Sequence, residues 1–183
     1  MMLANDLSFN FHEEAGLAFC RDYILSNTHI RDVLGAIGSD EGSPYTLVLE
    51  KFIAPDPNHI QTLRNGGDKL DYLVVQAWPK KSKAIFYSGS HTSDFTRIVA
   101  ANTFWEVARA QLQGCTAESC SFEQGGFVIF DARVLFERQE QRSYAYVYVK
   151  SSVLPYLLQQ ERKLQRRYWG MQPPASCDPD ELA

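Results

Sequence analysis

The segment Tyr144-Ala-Tyr-Val-Tyr-Val149 alternates without a break, with Tyr144, Tyr146 and Tyr148 on one face of an extended chain and Ala145, Val147 and Val149 on the other. A period of two is the mark of a strand and is incompatible with a helix, whose faces repeat near 3.6 residues. Four more segments rich in β-forming residues share the chain with it: Tyr45–Ile53, Tyr72–Trp78 ended by Pro79, Ala84–Tyr87 closed by Ser88-Gly89, and Phe127–Phe130. Pro55, Pro57 and the run Asn65-Gly66-Gly67-Asp68 break the chain between them. Short strands separated by turn signals, without regular intervening helices, favour an antiparallel sandwich or barrel over a doubly wound sheet.

Helical patterns are confined to the two ends. Asn10 can cap a helix with Glu13 reaching back to it, and Ala15, Ala18, Phe19 and Leu25 recur at helical intervals. Thr28 opens a second helix, in which Ile30, Val33, Leu34 and Ile37 share a face and Gly38 occupies a C-terminal glycine position. The turn cluster Ser39–Pro44 follows it. A C-terminal helix is expected from about Ser152 to Tyr168, with Pro155 in its first turn, where a missing amide costs little. The stretch Thr103–Leu112 is open between strand and helix, and a helix there would make Glu106 and Arg109 an i,i+3 pair. The expectation is one mostly β (α+β) domain over 1–170, with two N-terminal helices and one C-terminal helix, and a loose acidic tail over 171–183.

Composition narrows the function classes. A chain of 183 residues, 45% hydrophobic and 22% charged, has the make-up of one globular domain with a proper core. A net charge of −4 gives no general attraction to phosphate backbones, so no nucleic-acid partner is expected. The basic pairs Arg162-Lys163 and Arg166-Arg167 read as a solvated helix face suited to the C-terminal end of the dipole. The start lacks a signal-peptide pattern, and no stretch approaches the roughly eighteen apolar residues of a membrane span, which points to a cytoplasmic protein. Cys20, Cys115, Cys120 and Cys177 then read as free thiols; Cys115 and Cys120 can form half a zinc site, but no matching pair lies at finger spacing.

Familiar catalytic motifs are missing: the sequence has no GxSxG, HExxH, P-loop or GxGxxG. Gly66-Gly67 and Gly125-Gly126 fit hairpin turns, and His12 and His29 fall near helix starts as surface residues. Two segments say more. One runs from Leu73 through Trp78-Pro79 to Gly89-Ser90-His91; the other comprises Gly125-Gly-Phe-Val-Ile-Phe-Asp-Ala-Arg-Val-Leu-Phe136 and then Arg142-Ser-Tyr-Ala-Tyr-Val-Tyr-Val149. In order and spacing they resemble the core of the phytanoyl-CoA-hydroxylase-like family of non-haem iron, 2-oxoglutarate-dependent oxygenases, over Leu73 to Val149. The resemblance implies a double-stranded β-helix, or jelly-roll, core.

It also implies an Fe(II) site of two histidines and one carboxylate, with 2-oxoglutarate anchored by an arginine. Here the distal histidine position holds Phe136, which has no lone pair for iron. The proximal His-x-Asp motif is matched only by His59-Ile60-Gln61, so His59 is the one candidate metal ligand and Gln61 stands for the carboxylate. His91 lies at the Gly-Ser-His corner, which shapes a turn and ligates nothing. Arg142 corresponds to the arginine that pairs with 2-oxoglutarate by a bidentate contact.

Three functions follow as expectations. The first is a non-catalytic pseudoenzyme subunit, without cofactor, supporting a catalytic oxygenase partner in a natural-product pathway or associating with itself. Trp105, Phe104, Tyr156, Tyr168 and Trp169 would supply its interface. The second is an enzyme: either an Fe(II)/2-oxoglutarate dioxygenase using His59 with Gln61 or Glu137, or a metal-free isomerase or cyclase with Asp131, Glu106 or His91 as general acid or base. The third is a module that binds a small hydrophobic ligand in a barrel lined by Val, Phe and Tyr.

Overall fold

The computed structural model of the protein describes residues 20–39, 44–157 and 159. Most of the helix expected from Asn10, the helix beyond 159 and the tail at 171–183 lie outside them. What is described of the two end helices is a π-helical turn, Cys20–Leu25, and a short helical turn at 154–157. Helix α1 (Thr28–Ser39) forms where its apolar spacing predicts. Its cap is Asn27, whose side-chain Oδ1 accepts the Ile30 amide at 3.1 Å and so satisfies one of the open donors of the first turn.

Ten strands are described: β1 (Tyr45–Ile53), β2 (Asp56–Thr62), β3 (Tyr72–Trp78), β4 (Ser82–Ser88), β5 (Arg97–Val99), β6 (Trp105–Val107), β7 (Thr116–Phe122), β8 (Gly126–Asp131), β9 (Leu135–Glu140) and β10 (Ser143–Lys150). They make two antiparallel sheets, one of four strands ordered β1-β10-β3-β8 and one of six ordered β5-β6-β2-β9-β4-β7. The protein is therefore mostly β. The chain changes sheet at each step from β1 to β4 and again from β7 to β10. Among the described residues no helix is long and apolar enough to cross a membrane.

The period of β10 now has its cause. Ala145, Val147 and Val149 meet Val74, Trp78 and Phe130 of their own sheet and Ala84, Phe86 and Phe136 of the other in the core between the sheets. Tyr144, Tyr146 and Tyr148 point the opposite way, where Ile24 and Ile30 bury against them and Leu34 and Ile37 of α1 pack alongside. A third, smaller cluster of Ile60, Tyr87, Phe95, Val107 and Leu135 covers the outer face of the six-stranded sheet.

Three of the longer strands escape a search for apolar alternation, as does the three-residue β5. β2 carries Pro57, tolerable because its pairing with β9 slips between Asp56 and Gln61, where Asn58 adopts φ +72°. β7 is an edge strand with a polar, mostly exposed sequence. β9 is buried on both faces yet contains Glu137 and Arg138, so its polar residues hide its period. The ambiguous Thr103–Leu112 stretch divides into β6 and a 3-10 turn at Arg109–Gln111, so Glu106 and Arg109 do not form the helical pair. Gly125 (φ +76°) and Gly126 serve no hairpin either: they turn the chain from β7 in one sheet to β8 in the other. Cys115 and Cys120 are free thiols that pack in different clusters, Cys115 on the outer face of the six-stranded sheet and Cys120 between the sheets.

Candidate functional site

Two features meet on the inner side of the six-stranded sheet: a polar network built on β2, β6 and β9, and a cavity beside it. In β9, Phe136 and Arg138 are two residues apart and so share the inner face, while Glu137 between them faces out. Gln61 pairs with Phe136 on one side and with Glu106 of β6 on the other. Its amide is saturated. Nε2 donates to Asp56 Oδ2 at 3.0 Å and Glu106 Oε2 at 3.5 Å, and Oε1 accepts from Asn102 Nδ2 at 2.9 Å and Arg138 Nη2 at 2.5 Å. Arg138, only 2% exposed, also donates to Asp56 Oδ2 at 3.1 Å and lies 5.0 Å over the Phe104 ring. Burial pulls its pKa below the ordinary guanidinium value, with Asp56 opposing.

His59 is half exposed and its Nδ1 lies 3.1 Å from Glu106 Oε1. That hydrogen bond, and then the charge of Asp56, raise the imidazole above its usual pKa. Phe136 is fully buried among Phe86, Phe104 and Phe130, with ring centroids 5.6–6.2 Å away. The positions expected to hold iron thus come together around a guanidinium, with one imidazole already bonded to a carboxylate. This donor set does not fit a ferrous centre, which needs lone pairs converging on one point and not a fixed cation among them. Among the described residues no group of three or more His, Cys, Asp and Glu side chains is arranged to hold a metal ion.

Arg142 is exposed and stacks 5.4 Å over Phe52, whose ring meets Tyr144 edge-on at 5.2 Å. This is the tyrosine face of the four-stranded sheet, turned away from the inner network. Asp131 is engaged by Arg133 through Nε at 3.0 Å and Nη2 at 2.6 Å, which makes it a structural pair. His91 lies in a 3-10 turn (Ser90–Thr92) that follows Gly89 at φ +84°. Buried Ser90 closes that corner, donating to the Tyr87 carbonyl at 2.6 Å and accepting the Leu135 amide at 2.9 Å. The Gly-Ser-His sequence is thus a turn tied to the start of β9.

Glu137 heads a separate network on the outer face. Its Oε2 accepts from Arg109 at 2.8 Å and Tyr87 at 3.1 Å, and its Oε1 accepts the Asn58 amide at 3.1 Å. Burial would raise its pKa, but hydrogen bonds from Arg109, Asn58 and Tyr87 outweigh that and hold it below the ordinary value. Burial, and then the Glu137 charge, raise Tyr87.

The cavity, of about 780 Å³, lies where β1, at the edge of one sheet, approaches β6 of the other. Val48, Leu49, Leu63, Trp105, Val147 and Leu157 give it apolar walls, and Phe104 links it to the polar network. Lys51 and Arg64 are the cations in its lining. Lys51 Nζ donates to the Asn102 carbonyl at 2.9 Å and Thr103 Oγ1 at 2.7 Å, 4.3 Å from the Phe104 ring centre. Burial and then Arg138 lower its pKa. Arg64 stacks 4.0 Å over Tyr72 and stands 3.6 Å from Asp71.

Of the aromatic residues nominated for an interface, Phe104 is buried in the core, Trp105 lines the cavity, and Tyr156 is 60% exposed. Tyr168 and Trp169 lie outside the described residues. Sequence reasoning passed over Arg138, Lys51, Arg64, Asn102 and Asp56. Parity within β9 was the one available signal, since it places Arg138 on the face of Phe136. Comparison with protein-family models, curated proteins and solved structures gives no match for the chain.

Proposed function

We propose that the chain is a metal-independent, non-catalytic jelly-roll protein that holds a small, largely apolar molecule between its sheets. The cavity carries this reading. Its volume falls in the ~300–1,000 Å³ range of small-molecule sites, and its walls are mainly apolar with a few polar groups. The jelly-roll assignment is supported by the order β1-β10-β3-β8 facing the inner run β2-β9-β4-β7, and by the way successive strands exchange sheets. Derivation from the phytanoyl-CoA-hydroxylase-like oxygenases rests on the sequence resemblance. Arg138 supports the loss of iron in that lineage, because it brings a positive charge to the side chain standing for the metal carboxylate.

The test is binding of the neutral dye Nile red, followed by its emission. Wild-type protein should bind it with a stoichiometry near one, and Val147→Trp, which fills the cavity from β10, should lose binding while keeping its circular dichroism. Undiminished binding by the folded Trp variant would overturn the reading.

A second reading, a subunit supporting a catalytic iron/2-oxoglutarate oxygenase, is favoured by the outer edge of the six-stranded sheet. There Ile98 and Val99 of β5 are 64% and 62% exposed. An edge strand with apolar exposed side chains invites pairing with another chain. Light scattering of the chain alone and after co-expression with such an oxygenase tests it. A heteromer abolished by Ile98→Lys supports this reading, and a monomer in both samples removes it.

A further inference from the structure

The charges around the cavity do not balance. Its lining contains Lys51 and Arg64 and neither aspartate nor glutamate. Arg64 faces Asp71, and Arg138, behind Phe104, faces Asp56. Lys51 differs: its acceptors are a backbone carbonyl and a hydroxyl, both neutral. Among the described residues no carboxylate comes within ion-pair distance of it. The Phe104 ring offers it only a weak cation–π contact, and Arg138 on the same ring repels it. An ammonium in a partly desolvated apolar wall without a counter-charge is an unfavourable arrangement that a bound anion would relieve.

Resting on the reading of this cavity as a ligand site, we infer that its ligand is an apolar molecule ending in one carboxylate, which pairs with Lys51. The apolar body lies against Val48, Leu63, Val147 and Leu157. One unbalanced cation calls for a singly charged group, and a carboxylate can also accept from Thr103 Oγ–H beside the ammonium. A neutral head group would leave Lys51 as it stands, and a cationic one would add to the repulsion.

Calorimetric titration with dodecanoate, its methyl ester and dodecanol, all below their aggregation limits, tests this. Trp105 emission serves as the local reporter and Trp105→Phe as its control. Wild-type protein should bind dodecanoate at least about tenfold more tightly than ester or alcohol, tenfold being the scale of one modest charge-assisted contact. Lys51→Met should bring the three within about twofold, and Lys51→Arg, which keeps the charge if Met proves unstable, should retain the preference. Equal affinity of wild-type protein for acid and ester would overturn the carboxylate while leaving the apolar cavity as a ligand site. Preference for the acid in folded Lys51→Met would overturn the role of Lys51. Failure of all three compounds to bind, together with failure to bind Nile red, would overturn the ligand-site reading itself.

Discussion

Gln61 and Phe136 face each other across the β2–β9 pairing, and Arg138, two residues beyond Phe136, donates to the Gln61 carbonyl oxygen at 2.5 Å. Where the resemblance leads one to expect a carboxylate and an imidazole around a metal ion, the chain brings together an amide and a ring, with a guanidinium bonded to the amide. The positive charge there belongs to the protein and is covalently fixed. Asp56 and Gln61 are arranged as its acceptors, and Asn102 donates to both of them.

Arg138→Met keeps most of the side-chain volume and removes the charge. Asp56 and Gln61 would then lose the charged one of the two donors they share, keeping Asn102. We expect a loss of about 2–3 kcal/mol in urea unfolding, below the ~3–5 kcal/mol of a fully buried pair because Asp56 keeps 31% of its side chain exposed. A variant as stable as the wild type would mean that the network is dispensable.

Glu137→Gln tests the outer network. The native carboxylate is held below its ordinary pKa of 4.5, so the folded state releases that proton more readily than the unfolded state does. Its contribution is complete above the unfolded value and disappears as pH falls through the folded one. The variant should lose about 1–3 kcal/mol at neutral pH, with Arg109, 57% exposed, adding little. The gap between the two proteins should narrow as pH falls below 4.5 and close once the native carboxyl is protonated in the folded state as well. Parallel stability curves down to the acid limit would contradict this account.

The strands around Tyr45, Tyr72, Ala84, Phe127 and Tyr144 are legible because one or both faces are apolar and the turns between them contain Gly, Pro or Asn. β2 and β9 are not, because their inward residues include Asp56, Gln61 and Arg138, which find their partners in one another and in Asn102 and Glu106. A polar side chain whose partner lies some eighty positions away, as Asp56 and Arg138 do, looks from sequence like a solvated one. The cavity is hidden for a related reason: Lys51, Tyr72, Phe104 and Val147 come from separate strands and loops, and no local pattern links them. His59 and Phe136 are readable as positions, through the resemblance, but not as a working set, because Arg138 decides what can lie between them.

Docking of α1 on the tyrosine face gives a third expectation. Ile30 is 4% exposed and sits one turn after the Asn27 cap. Ile30→Ala should cost about 2–4 kcal/mol through lost burial and the cavity left behind. Asn27→Ala should cost about 1 kcal/mol by freeing one amide of the first turn. Thermal unfolding followed by far-ultraviolet circular dichroism distinguishes them, and a cap effect as large as the core effect would show that the helix is held by its end and not by its face.

The His59–Glu106 pair makes a prediction free of any folding measurement. Glu106 accepts from the imidazole and Asp56 adds its charge, so the protonated form persists to higher pH than in an isolated histidine. A raised imidazole pKa contributes below the unfolded value of about 6.5 and is lost as pH rises through the folded one. The Hε1 resonance of His59 should therefore titrate above 6.5 in wild-type protein and move back toward it in Glu106→Gln. A chelated metal at this position would give the opposite pattern, because coordination requires the neutral ring and depresses its titration. A His59 midpoint below the ordinary value would therefore remove the argument that Glu106 and Asp56 hold this imidazole as a cation.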